Sequence, residues 1–272
     1  MARLRRAMSP RGEQAYRRRH VGPASFFTSR RAFDDLTVVV KRFPRIADGD
    51  GPAFVLVHGI RVSSRYFHPA AGVLAKAGAV YLVDLPGYGA APDPRRDVTI
   101  ADHAGVLARV LEDSGLVNPV LVGHSMGSQV VSRLAVDSPH VTDRIVLLAP
   151  TMPTDERSFW PAAGRLLVDG ARNPLRANLI IGWDYFVRCG MPYFFRQLRH
   201  LFGDRIEDRL TGIRAKTLVL TGDKDLVVPQ AWAPFVAESV PGALYDTVAG
   251  PHVIMYSDPV RVAGYIAEHA AR

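Results

Sequence analysis

Hydrophobic positions in this chain follow two rhythms. In the first, short runs are apolar without alternation: residues 53–57 (AFVLV), 80–83 (VYLV), 120–122 (VLV), 145–148 (IVLL) and 217–220 (TLVL). Runs of this length with no polar face predict strands buried on both sides. Residues 36–40 (LTVVV) and 244–248 (LYDTV) predict two more. The second rhythm is helical. Residues 66–77, 99–113, 126–136, 230–239 and 258–271 place apolar side chains at helical spacing; in 99–113 the stripe is Ile100, Ala104, Leu107 and Leu111. Strands and helices alternate. The expected fold class is therefore α/β, a mostly parallel central sheet flanked by helices.

One interval breaks the alternation. No strand pattern recurs between 151 and 216, and nine aromatic residues gather there, Trp183, Tyr193 and Phe194 among them. A loop of that length without structure does not suit a compact domain. A helical insertion is expected over 151–216, between core segments 32–150 and 217–272.

Charge changes the picture only at the N-terminus. The formal net charge is +8, and the first 31 residues hold nine arginines against one acid, Glu13, which accounts for all of it. Residues 1–31 are expected to be a basic, disordered tail. The body is neutral, which argues against nucleic acid as a partner. Cys189 is the lone cysteine, so no intrachain disulfide is possible. Arg30-Arg31 resembles a twin-arginine signal, but Asp34 and Asp35 follow, and residues 36–40 are too short for an export segment. No run approaches the roughly 18 apolar residues of a membrane helix. No transmembrane segment and a cytoplasmic location are expected.

The candidate chemistry sits at Gly123-His124-Ser125-Met126-Gly127. This is G-x-S-x-G between a predicted strand and a predicted helix, the context in which such a serine is a nucleophile on a strained turn. Four further segments accompany it: Val57-His58-Gly59-Ile60, Asp84-Leu85-Pro86-Gly87-Tyr88-Gly89, Gly222-Asp223-Lys224-Asp225 and Gly250-Pro251-His252. In this order they resemble the α/β-hydrolase fold family over about residues 36–272. The likeness is to its serine-nucleophile branch with a helical cap, which includes esterases and hydrolases of carbon–carbon bonds.

The resemblance implies a triad of Ser125, His252 and Asp225, with Asp223 as the competing acid. It implies an oxyanion hole from the backbone N–H groups of Ile60 and Met126, and it makes 151–216 the cap. Trp183 and Phe194 are expected to line an apolar pocket beneath it. His58 is expected to prop the oxyanion loop and His124 to be tolerated within the elbow. Arg61 either faces solvent or meets an acidic group of the substrate. The histidines are scattered and no ligand spacing recurs, so no metal is expected. No G-x-G-x-x-G follows a strand, so no dinucleotide cofactor is expected either. The implied activity is hydrolysis of a carboxylic ester or related acyl compound, an apolar small molecule, through an acyl-enzyme. Carbon–carbon bond hydrolysis of a diketone and a non-catalytic ligand-binding role are the alternatives.

Overall fold

Alternate residues of each apolar run go to opposite sides of one sheet. Val55, Val57, Leu121, Ile145, Leu147 and Val219 join one buried cluster, and Phe54, Leu56, Val120, Val146, Leu148 and Leu220 join the other. That two-sided burial is why the runs show no polar alternation.

The computed structural model describes residues 17–21, 24–47, 50–151, 153, 164–165, 168–184 and 191–272. Among these, nine strands form one sheet. They are β1 (Arg17–Val21), β2 (Ala24–Phe33), β3 (Leu36–Phe43), β4 (Ala53–Val57), β5 (Ala79–Asp84), β6 (Val120–His124), β7 (Arg144–Leu148), β8 (Lys216–Gly222) and β9 (Leu244–Val248). Their order is β1-β2-β3-β5-β4-β6-β7-β8-β9. The first four strands in that order pair antiparallel. Every pair from β5–β4 to β8–β9 is parallel. This is the expected α/β architecture.

Helices α1 (His68–Leu74), α2 (Ile100–Asp113) and α3 (Met126–Asp137) follow β4, β5 and β6 in turn. In the insertion lie α4 (Leu175–Trp183), α5 (Met191–Gly203) and a 3₁₀ segment, Ile206–Gly212. Helices α6 (Trp232–Ser239), α7 (Ile254–Ser257) and α8 (Pro259–Ala271) complete the chain. The first cluster packs α2, α3 and α6 on one face, and the second packs α1, α7 and α8 on the other. Helix α2 starts where the sequence provides a capping box: the Thr99 hydroxyl accepts from the Asp102 N–H (3.0 Å), and the Asp102 carboxylate accepts from the Thr99 N–H (2.8 Å). No helix among the described residues is long and apolar enough to cross a membrane.

The N-terminal expectation needs correcting. Residues 1–16 lie outside the described residues, but 17–21 and 24–33 are strands rather than tail. Phe26 is buried and stacks on Phe43 with ring centroids 5.0 Å apart. From Ser29 onward β2 alternates, with Ser29 and Arg31 buried and Arg30 and Ala32 exposed. The Arg31 guanidinium pairs with Asp113 at 2.9 Å and donates to the Ser114 hydroxyl at 2.6 Å, at the C-terminus of α2. A cation there meets both a carboxylate and the negative end of the helix dipole. Part of the expected cap, residues 154–163 and 185–190, also lies outside the described residues.

Candidate active site

The serine lies on a turn that only small neighbours permit. Ser125 has φ 53° and ψ −119°, between the end of β6 and the start of α3. A left-handed φ costs a non-glycine residue of order 1–3 kcal/mol. The flanking glycines let the turn close. A Cβ on Gly123 would meet the Gly127 carbonyl oxygen at 2.3 Å, and one on Gly127 would meet the Val57 carbonyl oxygen at 2.2 Å. The Ser125 N–H donates to the Leu148 carbonyl at 3.0 Å, which ties the elbow to β7. The serine is half-buried, at the start of a twelve-residue helix.

His252 and Asp225 come together. The His252 Nδ1 and Asp225 Oδ2 are 2.8 Å apart, and both side chains are buried. The other Asp225 oxygen accepts from the N–H groups of Val227 (2.8 Å) and Val228 (3.0 Å), so the carboxylate is aimed by its own loop. Asp223 faces elsewhere and accepts from the Gly250 N–H at 2.8 Å. Burial disfavours the His252 imidazolium. The Asp225 charge and hydrogen bond, with the Asp169 charge, outweigh that and hold its pKa above the ordinary 6.5.

A neutral chain of hydrogen bonds links the loop after β4 to His252. The Gly59 N–H donates to the Tyr66 hydroxyl (2.9 Å), whose oxygen lies 2.9 Å from His124 Nδ1. His124 Nε2 lies 3.1 Å from the His252 carbonyl oxygen, which can only accept. Nε2 therefore carries the proton, Nδ1 accepts, and Tyr66 donates to it. Burial, chiefly, holds His124 well below 6.5 and Tyr66 far above 10, so neither charges. The His124 ring packs 4.7 Å from the His252 ring. This histidine is a structural joint between two loops, a part its sequence position did not announce.

His58 is a second joint. It accepts from the Leu85 N–H at Nε2 (3.1 Å), so Nδ1 donates to the Gly59 carbonyl (2.7 Å). Burial lowers its pKa and keeps it neutral. The loop it props passes close to the elbow serine: a Cβ on Gly59 would lie 3.2 Å from the Ser125 Cβ. Ile60 is half-buried within that loop, and Met126, the first residue of α3, is buried. Arg61 does not face solvent. It is 7% exposed at φ 64°, with its guanidinium 4.3 Å above the Phe194 ring.

The insertion touches the same loops at several points. Asp184, just past α4, accepts from the Ser63 N–H (3.1 Å) and hydroxyl (2.5 Å). Tyr193 of α5 lies over Gly87, where a Cβ would meet its ring at 2.1 Å, and its hydroxyl donates to the Pro86 carbonyl at 2.6 Å. Gln197 donates to the Val98 carbonyl (2.9 Å) and accepts from His103 (3.0 Å). Burial, chiefly, lowers the His103 pKa to about 4, so that ring is neutral too. Phe194 is buried against the loop after β4. Trp183 is 55% exposed on α4 and is not enclosed in the way a pocket lining requires. Asp169, also from the insertion, is buried and accepts from the N–H groups of His252 and Leu226 at 3.2 Å. Nothing local in the sequence marks it. Among the described residues, no group of three or more histidine, cysteine or acidic side chains is placed to hold a metal.

Comparisons with known proteins agree with this frame. The model of the "Alpha/beta hydrolase family" matches residues 54–264. An uncharacterised protein of Mycobacterium bovis is 34% identical over 109 residues, 40% of this chain and 32% of that protein. The chain thus spans about a third of the length of that relative. A pimeloyl-[acyl-carrier protein] methyl ester esterase of Aeromonas hydrophila is 26% identical over 236 residues, 76% of this chain and 89% of that one. Among solved structures, an N-acyl homoserine lactone degrading enzyme superposes with a TM-score of 0.77 at 20% identity, covering 88% of this chain and 99% of that one. The enol-lactonase from Burkholderia xenovorans LB400 gives 0.76 at 16% identity, covering 89% and 100%. At these identities the two structures share the fold.

Proposed function

Because the chain belongs to the alpha/beta hydrolase family, we propose that it is a serine hydrolase of carboxylic esters or related acyl compounds. Ser125 is the nucleophile, His252 the base and Asp225 the residue that orients the base. The observation that carries the reading is the elbow itself: a serine held at φ 53° on a helix N-terminus, next to His124, whose ring packs 4.7 Å from the ring of the buried, Asp225-paired His252. Few structural needs other than reactivity call for a strained serine in that place.

The chemistry follows from the parts. Ser125 Oγ attacks the acyl carbon while His252 Nε2 takes its proton. Asp225 holds the Nδ1–H and offsets the charge of the imidazolium. The developing oxyanion accepts from the N–H groups of Ile60 and Met126. In support, no backbone carbonyl among the described residues accepts from either group. His252 then returns the proton to the leaving alcohol. Water repeats the sequence on the acyl-enzyme, releases the acid and restores Ser125.

Residues 151–216 act as the cap, and Phe194 lines the acyl pocket from beneath it; Trp183, being exposed, sits at most on its rim. The substrate is a small molecule with an apolar acyl part. The esterase named among the relatives supports ester chemistry. The reading is tested with a fluorophosphonate probe and a chromogenic ester series of increasing acyl length. Phosphonylation is expected at Ser125, and Ser125→Ala should lose on the order of 10⁶ in kcat. An unlabelled Ser125 in the folded protein, or full activity in the alanine variant, would refute it.

A further inference from the structure

One carboxylate, Asp225, suffices to orient His252, yet a second buried carboxylate stands behind the same histidine. Asp169 belongs to the insertion, in the short helical stretch 168–170. Both its oxygens lie 3.2 Å from the His252 backbone nitrogen, and Oδ1 also accepts from the Leu226 N–H at 3.2 Å. Leu226 directly follows Asp225. One side chain therefore ties the acid loop to the base loop from a third, separate part of the chain.

Its partners among the described residues are main-chain N–H groups, which a neutral asparagine or serine could also satisfy. A carboxylate brings something they do not require, a negative charge kept out of water at a cost. Burial raises its pKa, the Asp225 charge adds to that, and His252 acts in the opposite sense. Among the described residues, these groups lie around the His252 ring. Asp225 bonds Nδ1, neutral His124 packs on the ring, and Asp169 lies behind the backbone. In a buried site a full charge near the ring is weakly screened.

We propose that Asp169 is a positioning residue of the catalytic apparatus: it locks the acid and histidine loops together and adds a second negative charge behind the imidazolium formed in turnover. The inference rests on the triad reading above. It has a consequence for the insertion. Seating residues 168–170 completes the geometry of His252, and displacing them breaks both ties at once.

Two variants separate charge from bonding. Asp169→Asn keeps an acceptor oxygen and removes the charge, whereas Asp169→Ala removes both. The measurements are the rate of Ser125 phosphonylation against pH and an NMR titration of the His252 ring. In Asp169→Asn the acid limb of the labelling rate and the ring titration should both move to lower pH, because the imidazolium has lost a favourable charge. In Asp169→Ala the plateau rate should also fall, by about 10²-fold, as expected for a misplacement near 1 Å. If both variants kept the wild-type limb and plateau, with only a lower melting temperature, Asp169 would be structural and the inference overturned. Should the alanine variant not fold, the asparagine variant and its ring titration decide alone. Wild-type protein whose Ser125 does not label would instead overturn the triad reading. A labelled Ser125 with an unmoved limb in Asp169→Asn overturns this inference and leaves the triad standing.

Discussion

Replacing Tyr66 by phenylalanine removes one oxygen and leaves the packing in place. The ring stays stacked on Phe67, with centroids 4.6 Å apart, in a fully buried setting. What disappears is the acceptor for the Gly59 N–H and the donor to His124 Nδ1, each at 2.9 Å. Neither group has water to turn to, since Gly59 and His124 are both buried. A buried polar group left unsatisfied costs about 1–3 kcal/mol, so the pair should cost about 2–6 kcal/mol of stability. His124 cannot escape by moving its proton to Nδ1, because Nε2–H would then be lost to the His252 carbonyl. The damage would only pass to the base loop. Activity should fall as well. Gly59 precedes the proposed oxyanion donor Ile60, and loss of one such donor costs about 10²–10³ in kcat. A loosened loop should fall at or below the lower end of that range. Chemical denaturation reads the first quantity and ester turnover the second. A cycle with His124→Asn should give a coupling of about 0.5–3 kcal/mol. A Tyr66→Phe protein within about 0.5 kcal/mol of wild type, with unchanged kcat, would refute the idea that this chain holds the loops.

Four other outcomes follow from the structure. Asp225→Asn should cost about 10⁴ in kcat, because His252 loses its tautomer control, while Asp223→Asn stays near wild type; reversed effects would move the acid to 223. His252, the proposed base, must be unprotonated to act, and the Asp225 and Asp169 charges hold its proton in spite of burial, so kcat/KM should fall as pH drops through a value above 6.5; a limb centred below 6.5 contradicts the geometry. Lys41→Ala should destabilise the fold by about 3–5 kcal/mol, since it strands the buried Asp84 carboxylate, 2.9 Å from Lys41 Nζ. Burial opposes the Asp84 charge, but Lys41 and the Ser64 hydrogen bond hold its pKa below the usual 3.8. The wild-type advantage is thus present above 3.8 and should shrink as pH falls below it, which denaturation curves across that range would reveal. Phe26→Ala should cost about 3–5 kcal/mol in β2, next to the sheet's edge strand, and leave kcat unchanged; a protein as stable as wild type would return β2 to the status of a tail.

The elements that could be read from the sequence are those whose reason is local. The run at 120–122, the glycines at 123 and 127 and the apolar stripe of α3 all answer to constraints within a few residues, and together they leave the chain little choice at Ser125. What escaped the sequence has its reason elsewhere in the chain. Arg31 reads as one more charge in a basic tail until Asp113 and the end of α2 are seen around it. Local composition pointed to solvent and the partner pointed inward, and the partner prevailed because a paired cation can be buried where a bare one cannot. Arg61 follows the same rule: its left-handed backbone and the Phe194 ring beneath it turn an apparently surface arginine into a buried one. Asp169 is the extreme case, since its two side-chain bonding partners among the described residues lie 57 and 83 residues away. A nucleophile can be recognised from its own turn, but the groups that hold its base in place are defined by where other loops end. That division explains why the candidate triad was visible in the chain while the insertion's hold on it was not.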